Sequence, residues 1–518
     1  MSKLATWWWS RRLGLAGWAA VAAFAVLAGR FWHPAYGFTK FLQIDETDEV
    51  AGIHELRENP IYFYPGRNGY DGSFYVQIAF HPLLDTPELA AVDNLPYRAR
   101  RILGSAVAWV FAGGQPTRIA NVYAALNLGV WLVLAGLLWR LLPVRDWRGW
   151  VAWAGLLFSA GVLHAVRLAL TDLLGLTLFA AAMLLAERRR PRGALGLLAF
   201  AGLARETTLS GVVALWRGPW NTRHAWLANL GRALLVTVPL AAWLGYVRWK
   251  AGPADQGLGN FTWPVTGFVE KWIATLASYR LEPEFTWLIT TTLLALAGLT
   301  AQAVYLLRKP QLDDAWWRVG VVGMATMALL GTAVWEGHPG AAARVLLPMG
   351  LVFAVLAVRR RAAPVWFVLG NLSVFSGVLA LWHVPQDVNE LAAGRFDRGA
   401  YVVRLDASWS GRESNGRHVW AWATDHGRLA IETWPRVGAS AKIRLAMRAL
   451  SPRTVEIRQD ATVLWRGPVG PTLQTIEFGG VHAGASALQF STDAPPVREG
   501  SMPEARALGF AVYDLRIE

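Results

Sequence analysis

The 518-residue sequence contains no cysteine, and charged residues make up only 17% of it. The absence of thiols excludes disulfide bonds, thiol nucleophiles and metal sites built on thiolates. The small charged fraction, with 54% hydrophobic residues, argues against a set of soluble domains and excludes a disordered chain. The sequence also lacks internal repeats and low-complexity tracts. This composition predicts an integral membrane protein.

The formal net charge is +14, which in a soluble protein would suggest a nucleic acid partner. Much of this charge lies in short loops between apolar runs, as in Arg188-Arg189-Arg190 and Arg359-Arg360-Arg361. Cytoplasmic loops of membrane proteins collect such arginines, which also attract anionic lipids. We therefore expect membrane lipids, and not nucleic acid, to be partners.

The hydropathy pattern predicts about 11 membrane segments. The first apolar run follows Lys3, Arg11 and Arg12, which favours an uncleaved first span with a cytoplasmic N-terminus over a signal peptide. The spans are expected at about residues 13–29, 118–139, 150–166, 170–186, 232–249, 286–307, 318–335, 345–358 and 364–382. The fold class is thus a multi-span α-helical membrane protein.

Residues 193–216 are ambiguous between one span and two short helices. One span would place Arg217, Arg223 and Arg232 outside, so the positive-inside rule favours a pair broken at Arg205-Glu206-Thr207. Polar backbone at membrane depth is tolerated where it lines a cavity, so the break itself indicates a site.

Two polar regions accompany the predicted membrane domain, residues 1–395. Residues 30–117 form a long external loop, whose end from Tyr97 to Ala112 is half a span long and is expected at the interface. Residues 396–518 alternate apolar and polar residues between Gly, Pro and Asp turns, which predicts an external β-sandwich domain. Three of its tryptophans fit either the sandwich core or stacking on sugars, and they are Trp409, Trp420 and Trp422.

Two candidates for a general base lie in the external loop. Asp71, in the stretch GYDGSFY, fits a carboxylate that accepts a hydroxyl proton, with Gly72 permitting close approach, or a turn aspartate that caps a helix. Asp45 begins the acidic run DETDE, which fits a base, a ligand of a divalent cation or a solvated helix start. No cofactor is otherwise expected.

The external half also carries arginines suited to phosphate. Arg98, Arg100 and Arg101 follow Asn94 at head-group height, where they fit phosphate oxygens or general attraction to anionic lipid. Arg344, near Glu336 and His338, fits either a leaving-group phosphate or an arginine that reaches from the span to the interface.

Charges of both signs meet at the external ends of two further segments. Arg167 and Asp172 lie at the junction of two spans, and Arg205 and Glu206 lie at the helix break. They fit mutual ion pairing, or a site in which surplus arginine and free backbone N–H groups bind a monophosphate or pyrophosphate.

The order of these motifs resembles the polytopic C-type glycosyltransferase superfamily, GT-C. The stretches are GYDGSFYVQIAF, NLPYRARRIL, RLALTDLLGLTLFAAAMLL, GLARETTL and ARVLLP, and they cover roughly residues 10–382. The sequence is most similar to bacterial members related to lipid-linked mannosyl- and arabinosyltransferases. Sandwich appendages occur on some of these.

The resemblance implies an inverting hexosyl- or pentosyltransferase of a bacterial inner membrane. It would use a polyprenyl-phosphate sugar donor and an external glycan, lipid or protein acceptor. Asp71 resembles the family's loop base, Arg205 and Arg344 resemble positions that grip the lipid phosphate, and Arg101 is placed to assist. Asp45 keeps the identity of the base open, because many relatives place a carboxylate soon after the first span.

A transporter or flippase of a lipid-linked or polar substrate is the alternative function. Such carriers also place charges in broken helices, but they more usually consist of repeated halves. The sequence leaves the sugar and the acceptor unidentified.

Overall fold

The computed structural model describes residues 3–33, 36–45, 51–59, 61–64, 69–216, 218, 222–253, 258–385, 401–410, 413–415, 418–433, 439–483, 487–499 and 505–517. It divides into two compact units. The first, residues 1–31 and 38–384, is mainly helical, and the second, residues 32–37 and 385–518, contains the two five-stranded β-sheets.

Six helical segments are long and apolar enough to cross a membrane. They are Arg12–Gly29, Pro116–Leu141, Trp147–Arg167, Arg223–Ala251, Pro283–Arg308 and Pro364–Trp382. Pro191–Ala204 and Leu347–Arg359 are shorter apolar helices, and Asp172–Glu187 has 16 residues. The described residues thus contain six full-length spans, fewer than the roughly 11 predicted segments. Each predicted segment nevertheless coincides with a helix.

The helices of the first unit follow one another with short connections. The α-helices are Lys3–Gly29, Glu55–Glu58, Asp71–Phe80, Leu95–Ala99, Leu103–Phe111, Pro116–Leu141, Trp147–Leu157, Ala160–Arg167, Asp172–Glu187, Pro191–Ala204, Arg223–Ala251, Thr266–Leu281, Thr286–Arg308, Ala315–Leu329, Thr332–Trp335, Ala342–Val345, Leu347–Arg359, Pro364–Gly370 and Val374–Trp382. The 3-10 helices are Thr39–Leu42, Pro87–Ala91, Glu206–Leu215, Leu258–Asn260 and Pro283–Phe285.

The predicted helix break is confirmed. The helix Pro191–Ala204 starts with proline, which suits a first helical position, and ends directly before Arg205. Arg205 has extended backbone angles, φ −156° and ψ 121°, and the 3-10 helix Glu206–Leu215 follows it. The Thr208 hydroxyl donates a hydrogen bond of 2.6 Å to the Arg205 carbonyl, which satisfies a backbone acceptor that the break leaves free. The Arg205 N–H still donates to the Ala201 carbonyl at 2.8 Å, so the α-helix ends at Arg205 and the chain changes direction there.

A buried asparagine fixes the turn between Ala160–Arg167 and Asp172–Glu187. The Asn127 side-chain amide donates hydrogen bonds of 2.8 Å to the carbonyls of Ala165 and Leu170. Both carbonyls lie where the helical ladder stops, and an unpaired carbonyl among apolar helices is costly. Asn127 therefore holds the turn that presents Asp172.

A helix lies between the predicted spans 232–249 and 286–307, where the sequence predicted a second external loop. Residues 250–285 were expected to be a long connection, but Thr266–Leu281 is helical. Gly267, Lys271 and Thr275 are its buried residues, spaced four apart along one face. The helix is too polar for a span, so hydropathy alone gives no signal for it.

The predicted β-structure of the C-terminal region is confirmed by two five-stranded sheets. In chain order after the two loop strands β1 (Ile44–Asp45) and β2 (Phe63–Tyr64), the strands are β3 (Tyr401–Leu405), β4 (Glu413–Ser414), β5 (Val419–Ala423), β6 (His426–Thr433), β7 (Ala439–Ala449), β8 (Arg453–Gln459), β9 (Thr462–Val469), β10 (Gln474–Ala483), β11 (Leu488–Thr492), β12 (Val497–Arg498), β13 (Ala507–Leu508) and β14 (Phe510–Ile517). The sheet orders are β10-β7-β14-β5-β4 and β3-β6-β11-β8-β9.

Two of the three candidate sugar-stacking tryptophans belong to apolar clusters of this region. Trp409 is 7% exposed, and its ring packs edge-on against Phe490 and Phe510. Trp422 is 3% exposed. Trp420 is half-buried and stacks on Tyr513 with the ring centroids 5.3 Å apart. The burial of Trp409 and Trp422 leaves little ring surface for a sugar.

Candidate active site

A cavity of about 620 Å³ in the helical unit collects charged residues from distant parts of the sequence. Its charged lining consists of five arginines and three carboxylates, which are Arg98, Arg100, Arg101, Arg205, Arg344, Asp71, Asp93 and Glu206. Four apolar side chains, Phe261, Leu330, Val334 and Val345, line the same cavity. The surplus of guanidinium groups favours an anionic ligand, and the apolar side chains give the cavity an apolar side.

Asp71 is the first residue of the helix Asp71–Phe80, where the helix dipole stabilises a negative charge. Its carboxylate pairs with the Arg98 guanidinium at 2.9 Å and keeps 28% of its side-chain surface exposed. Arg98 also pairs with Asp93, at 3.1 Å. Burial lowers the pKa of Arg98, but Asp71 above all raises it, and the net direction is upward. The Asp71 carboxylate therefore faces the cavity beside a permanent cation.

Gly72 permits a close approach, although to backbone rather than to a ligand. A Cβ atom at this position would lie 2.5 Å from the Leu168 carbonyl oxygen and 2.7 Å from that of Leu42. Real Cβ contacts are not this short, so a larger residue would push the helix away from the turn at Leu168. The glycine thereby sets the position of Asp71.

The helix Leu95–Ala99 and its C-terminal turn bring three arginines to one side of Tyr97. The Tyr97 ring lies 3.8 Å from the Arg100 guanidinium carbon and 5.4 Å from that of Arg101. Burial raises the pKa of Tyr97, but Arg101 and Arg100 outweigh it, so the net pKa lies below its usual value. Burial lowers the pKa of Arg100, which Glu206 partly opposes. The Tyr97 ring thus makes cation–π contacts with the guanidinium groups of Arg100 and Arg101.

Glu206 bridges this helical turn to the helix break. Its carboxylate accepts from Arg101 Nε at 3.1 Å and pairs with Arg100 Nε at 2.7 Å. Arg101 also donates from Nη1 to the Tyr75 hydroxyl at 3.0 Å. Glu206 thus joins residues more than 100 positions apart in the sequence, which places Arg205 beside the arginines of the loop.

Asp172 lies behind the cavity and pairs with both Arg205 and Arg344. This residue begins the helix Asp172–Glu187, is 3% exposed, and pairs with Arg205 Nε at 3.1 Å and with Arg344 Nη1 at 3.4 Å. Arg344 Nη2 donates to the Tyr70 hydroxyl at 2.8 Å. A Cβ atom at Gly175 would lie 2.9 Å from Arg205 Cβ, so this glycine lets the break approach the helix. One buried carboxylate therefore orients two cations.

Several guanidinium N–H groups remain available at the cavity. Within the described residues, no group accepts a hydrogen bond from the terminal nitrogens of Arg205 or of Arg100. Both arginines use only Nε, toward Asp172 and Glu206 respectively. A pair of terminal nitrogens on one guanidinium matches two oxygens of a phosphate.

Three of the predicted site residues do not line this cavity: Asp172, which lies behind it, Asp45 and Arg167. Asp45 is 6% exposed and accepts a hydrogen bond of 2.9 Å from the backbone N–H of Gly69, which orders the connection that precedes Asp71. Arg167 donates to the Tyr64 hydroxyl at 2.9 Å and lies over the Phe31 ring. The rest of the acidic run, residues 46–50, lies outside the described residues.

The structure brings together the predicted residues Asp71, Arg101, Arg205, Glu206 and Arg344 around the cavity, with Asp172 behind them. Sequence reasoning missed Tyr70, Tyr75 and Tyr97, which contact the arginines, and Asn260, which donates to the Tyr97 hydroxyl at 3.2 Å. The tyrosines lie within the quoted motifs, next to or near the charged residues. No local signal identifies Asn260, which lies inside the predicted loop 250–285.

Chemically, this arrangement offers one partly exposed carboxylate and fixed cations on the walls of one cavity. The carboxylate is suited to accept a proton from a hydroxyl, and the guanidinium groups to stabilise negative charge on phosphate oxygens. Neither step requires a thiol.

No protein family and no curated protein matches the sequence. Among solved structures, a CBM4 structure has 16% identity and a TM-score of 0.14, with 24% of this chain and 81% of that chain covered. The cryo-EM structure of the arabinosyltransferase EmbB from Mycobacterium smegmatis has 12% identity and a TM-score of 0.21, with 86% of this chain covered. The aligned region spans 62% of the length of that arabinosyltransferase.

Proposed function

We propose that the protein is a membrane glycosyltransferase that moves a sugar from a polyprenyl-phosphate donor to an acceptor hydroxyl. The observation that carries this proposal is the convergence of Asp71 and five arginines on one cavity with an apolar side. A polyprenyl-phosphate sugar has the matching parts, since it combines a hydrocarbon tail, an anionic phosphate and a transferable sugar.

In the proposed reaction, the Asp71 carboxylate accepts the proton of the acceptor hydroxyl while its oxygen attacks the anomeric carbon. The bond between that carbon and the phosphate oxygen breaks on the opposite face, so the configuration inverts. The electron pair of this bond stays with the polyprenyl phosphate, whose charge increases. The guanidinium groups of Arg205 and Arg344 stabilise that charge, and Arg100 and Arg101 lie on the same cavity to assist.

The assignment of the base to Asp71 rather than Asp45 rests on position. Asp71 lines the cavity with its side chain 28% exposed, whereas Asp45 is buried against the N–H of Gly69. The ion pair with Arg98, at 2.9 Å, fixes the orientation of the Asp71 carboxylate at the cavity. In this proposal the cavity opens to the external side of a bacterial inner membrane, and the β-sheet unit is external too.

The test is sugar transfer by the full-length protein in proteoliposomes. Radiolabelled polyprenyl-phosphate pentoses and hexoses are supplied with glycolipid and glycan acceptors from the host membrane, and labelled product and released polyprenyl phosphate are measured. Asp71→Asn is expected to abolish transfer while polyprenyl phosphate still binds, and the exposed Asp313→Asn is the matched control. Unchanged transfer by Asp71→Asn removes this residue as the base.

The alternative function, a carrier of a lipid-linked substrate, predicts a different product. It would move the unmodified substrate across the bilayer, without cleavage of the bond to phosphate. Transport of intact donor by the wild-type protein, with no released polyprenyl phosphate under any donor, would favour the carrier and contradict the transferase.

A further inference from the structure

A second group of ionisable side chains lies away from the cavity, between the first two candidate spans. His54 precedes the short helix Glu55–Glu58, and Glu88 lies in the 3-10 helix Pro87–Ala91. His54 Nδ1 is 2.9 Å from one Glu88 carboxylate oxygen and 3.0 Å from the other, and it is 3.4 Å from Glu55 Oε2. One imidazole nitrogen thus faces three carboxylate oxygens.

A single proton on His54 Nδ1 cannot satisfy this arrangement. It can be directed well at one oxygen, which leaves the second carboxylate facing the first without a proton between them. A cation at this point would contact the nitrogen and both carboxylates at once. Glu88 also accepts a hydrogen bond of 2.8 Å from the His54 backbone N–H, so the carboxylate oxygen left without a donor is Glu55 Oε2.

The buried half of the group supplies an independent observation. Glu55 is 7% exposed, and no described residue donates a hydrogen bond to its Oε2 atom. Its other oxygen, Oε1, is 2.7 Å from His81 Nε2, which fixes the orientation of the carboxylate. His81 Nδ1 in turn lies 3.5 Å from Asp85. Glu55 thus directs an unsatisfied, buried oxygen toward His54 and Glu88.

We propose that His54, Glu55 and Glu88 bind one divalent metal ion of the zinc class. The three ligand atoms lie within 4.8 Å of one another. Tetrahedral zinc with bonds of 2.0–2.1 Å separates its ligands by about 3.3 Å, so small side-chain movements complete the geometry. A nitrogen ligand favours zinc over calcium or magnesium, which prefer oxygen alone. The fourth position is open to water.

The role of this ion is to hold the external segment together. His54 and Glu88 are 34 positions apart, and the ion would cross-link the two stretches that contain them. His81 directly follows the helix Asp71–Phe80, so the same network reaches the C-terminal end of the helix that begins with Asp71. None of these ligands lines the arginine cavity, so the ion stabilises the segment and takes no part in sugar transfer.

The experiment uses the full-length protein in detergent, with any affinity tag removed and metal stripped by EDTA. Zn²⁺ binding is measured by isothermal titration calorimetry, and bound metal is counted by inductively coupled plasma mass spectrometry. The wild type is expected to bind one Zn²⁺ per chain and to gain thermal stability. His54→Ala and Glu88→Gln are each expected to weaken binding by more than roughly tenfold, and the positioning variant His81→Asn by roughly tenfold.

Folding is controlled in two ways. The His54 and Glu88 side chains are 48% and 43% exposed, so their substitution leaves the apolar core intact, and the melting temperature without metal should match that of the wild type. His426, whose ring nitrogen lies 2.7 Å from Asp425, is a histidine–carboxylate pair with no third ligand group within the described residues, so His426→Ala should keep full Zn²⁺ affinity. Less than one Zn²⁺ per wild-type chain, or wild-type affinity in His54→Ala and Glu88→Gln, overturns the proposal.

Discussion

Asp172 offers a direct test of how the arginine site is held. Its buried carboxylate contacts Arg205 at 3.1 Å and Arg344 at 3.4 Å. Unit charges at such distances attract each other by about 5 kcal/mol per pair at an effective dielectric constant of 20, before desolvation is counted. Breaking a buried ion pair costs about 3–5 kcal/mol net, because the remaining charge is left without a partner. Asp172→Asn keeps the side-chain volume and an acceptor oxygen, so we expect about 3 kcal/mol.

The assay is thermal unfolding of the purified protein, followed by the fluorescence of its 29 tryptophans. A loss of 3 kcal/mol lowers the melting temperature by about 6 °C, at about 2 °C per kcal/mol for a large domain. The exposed Asp313→Asn changes the same chemical group and should shift the melting temperature by less than about 1 °C.

A double variant separates the ion pair from simple loss of packing. Asp172→Asn combined with Arg344→Met removes one of the two cations that the first change leaves unpaired. We expect the combined loss to be smaller than the sum of the single losses by more than about 1 kcal/mol. Additive losses, or a wild-type melting temperature for Asp172→Asn, would refute the role of Asp172 as the shared partner.

Three further changes test other parts of the structure. Gly72→Ala places a Cβ atom 2.5 Å from the Leu168 carbonyl oxygen, so we expect a stability loss of about 1–3 kcal/mol, measured as a lower melting temperature, and reduced transfer through displacement of Asp71. Arg205→Lys keeps the charge but loses the paired terminal nitrogens, and it should weaken binding of polyprenyl phosphate about tenfold in a filter assay; unchanged affinity would argue against a guanidinium contact. Trp409→Ala should destabilise the β-sheet unit by about 3–5 kcal/mol in calorimetry, whereas an unaffected transition would place the ring outside the core.

Hydropathy and arginine placement predicted the helical layout because both are local properties of the chain. The break at Arg205 was predictable, since an unbroken span would have placed Arg217 and Arg223 outside, against the positive-inside rule. Alternation predicted the strands of the C-terminal region for the same local reason. The sequence did not predict the helix Thr266–Leu281, because its buried face carries the polar residues Lys271 and Thr275.

The site was predictable only as a set of parts. Charged residues next to apolar runs identify Asp71, Arg205 and Arg344, because charge at membrane depth is costly unless it is paired. Their partners come from contacts between distant positions, such as Asp172 with Arg344, 172 residues apart. No spacing rule distinguishes this pairing from others. The same limit explains why the sequence alone did not separate Asp71 from Asp45.

The most direct test of the proposed site is the position of the lipid phosphate in the bound protein. A cryo-EM reconstruction with polyprenyl phosphate in lipid nanodiscs would locate it. We expect the phosphate within hydrogen-bond distance of Arg205 and Arg344, with the prenyl chain along Phe261 and Val334. A phosphate bound elsewhere, for example in the largely apolar pocket near His164 and Trp287, would contradict the assignment of the arginine cavity as the donor site.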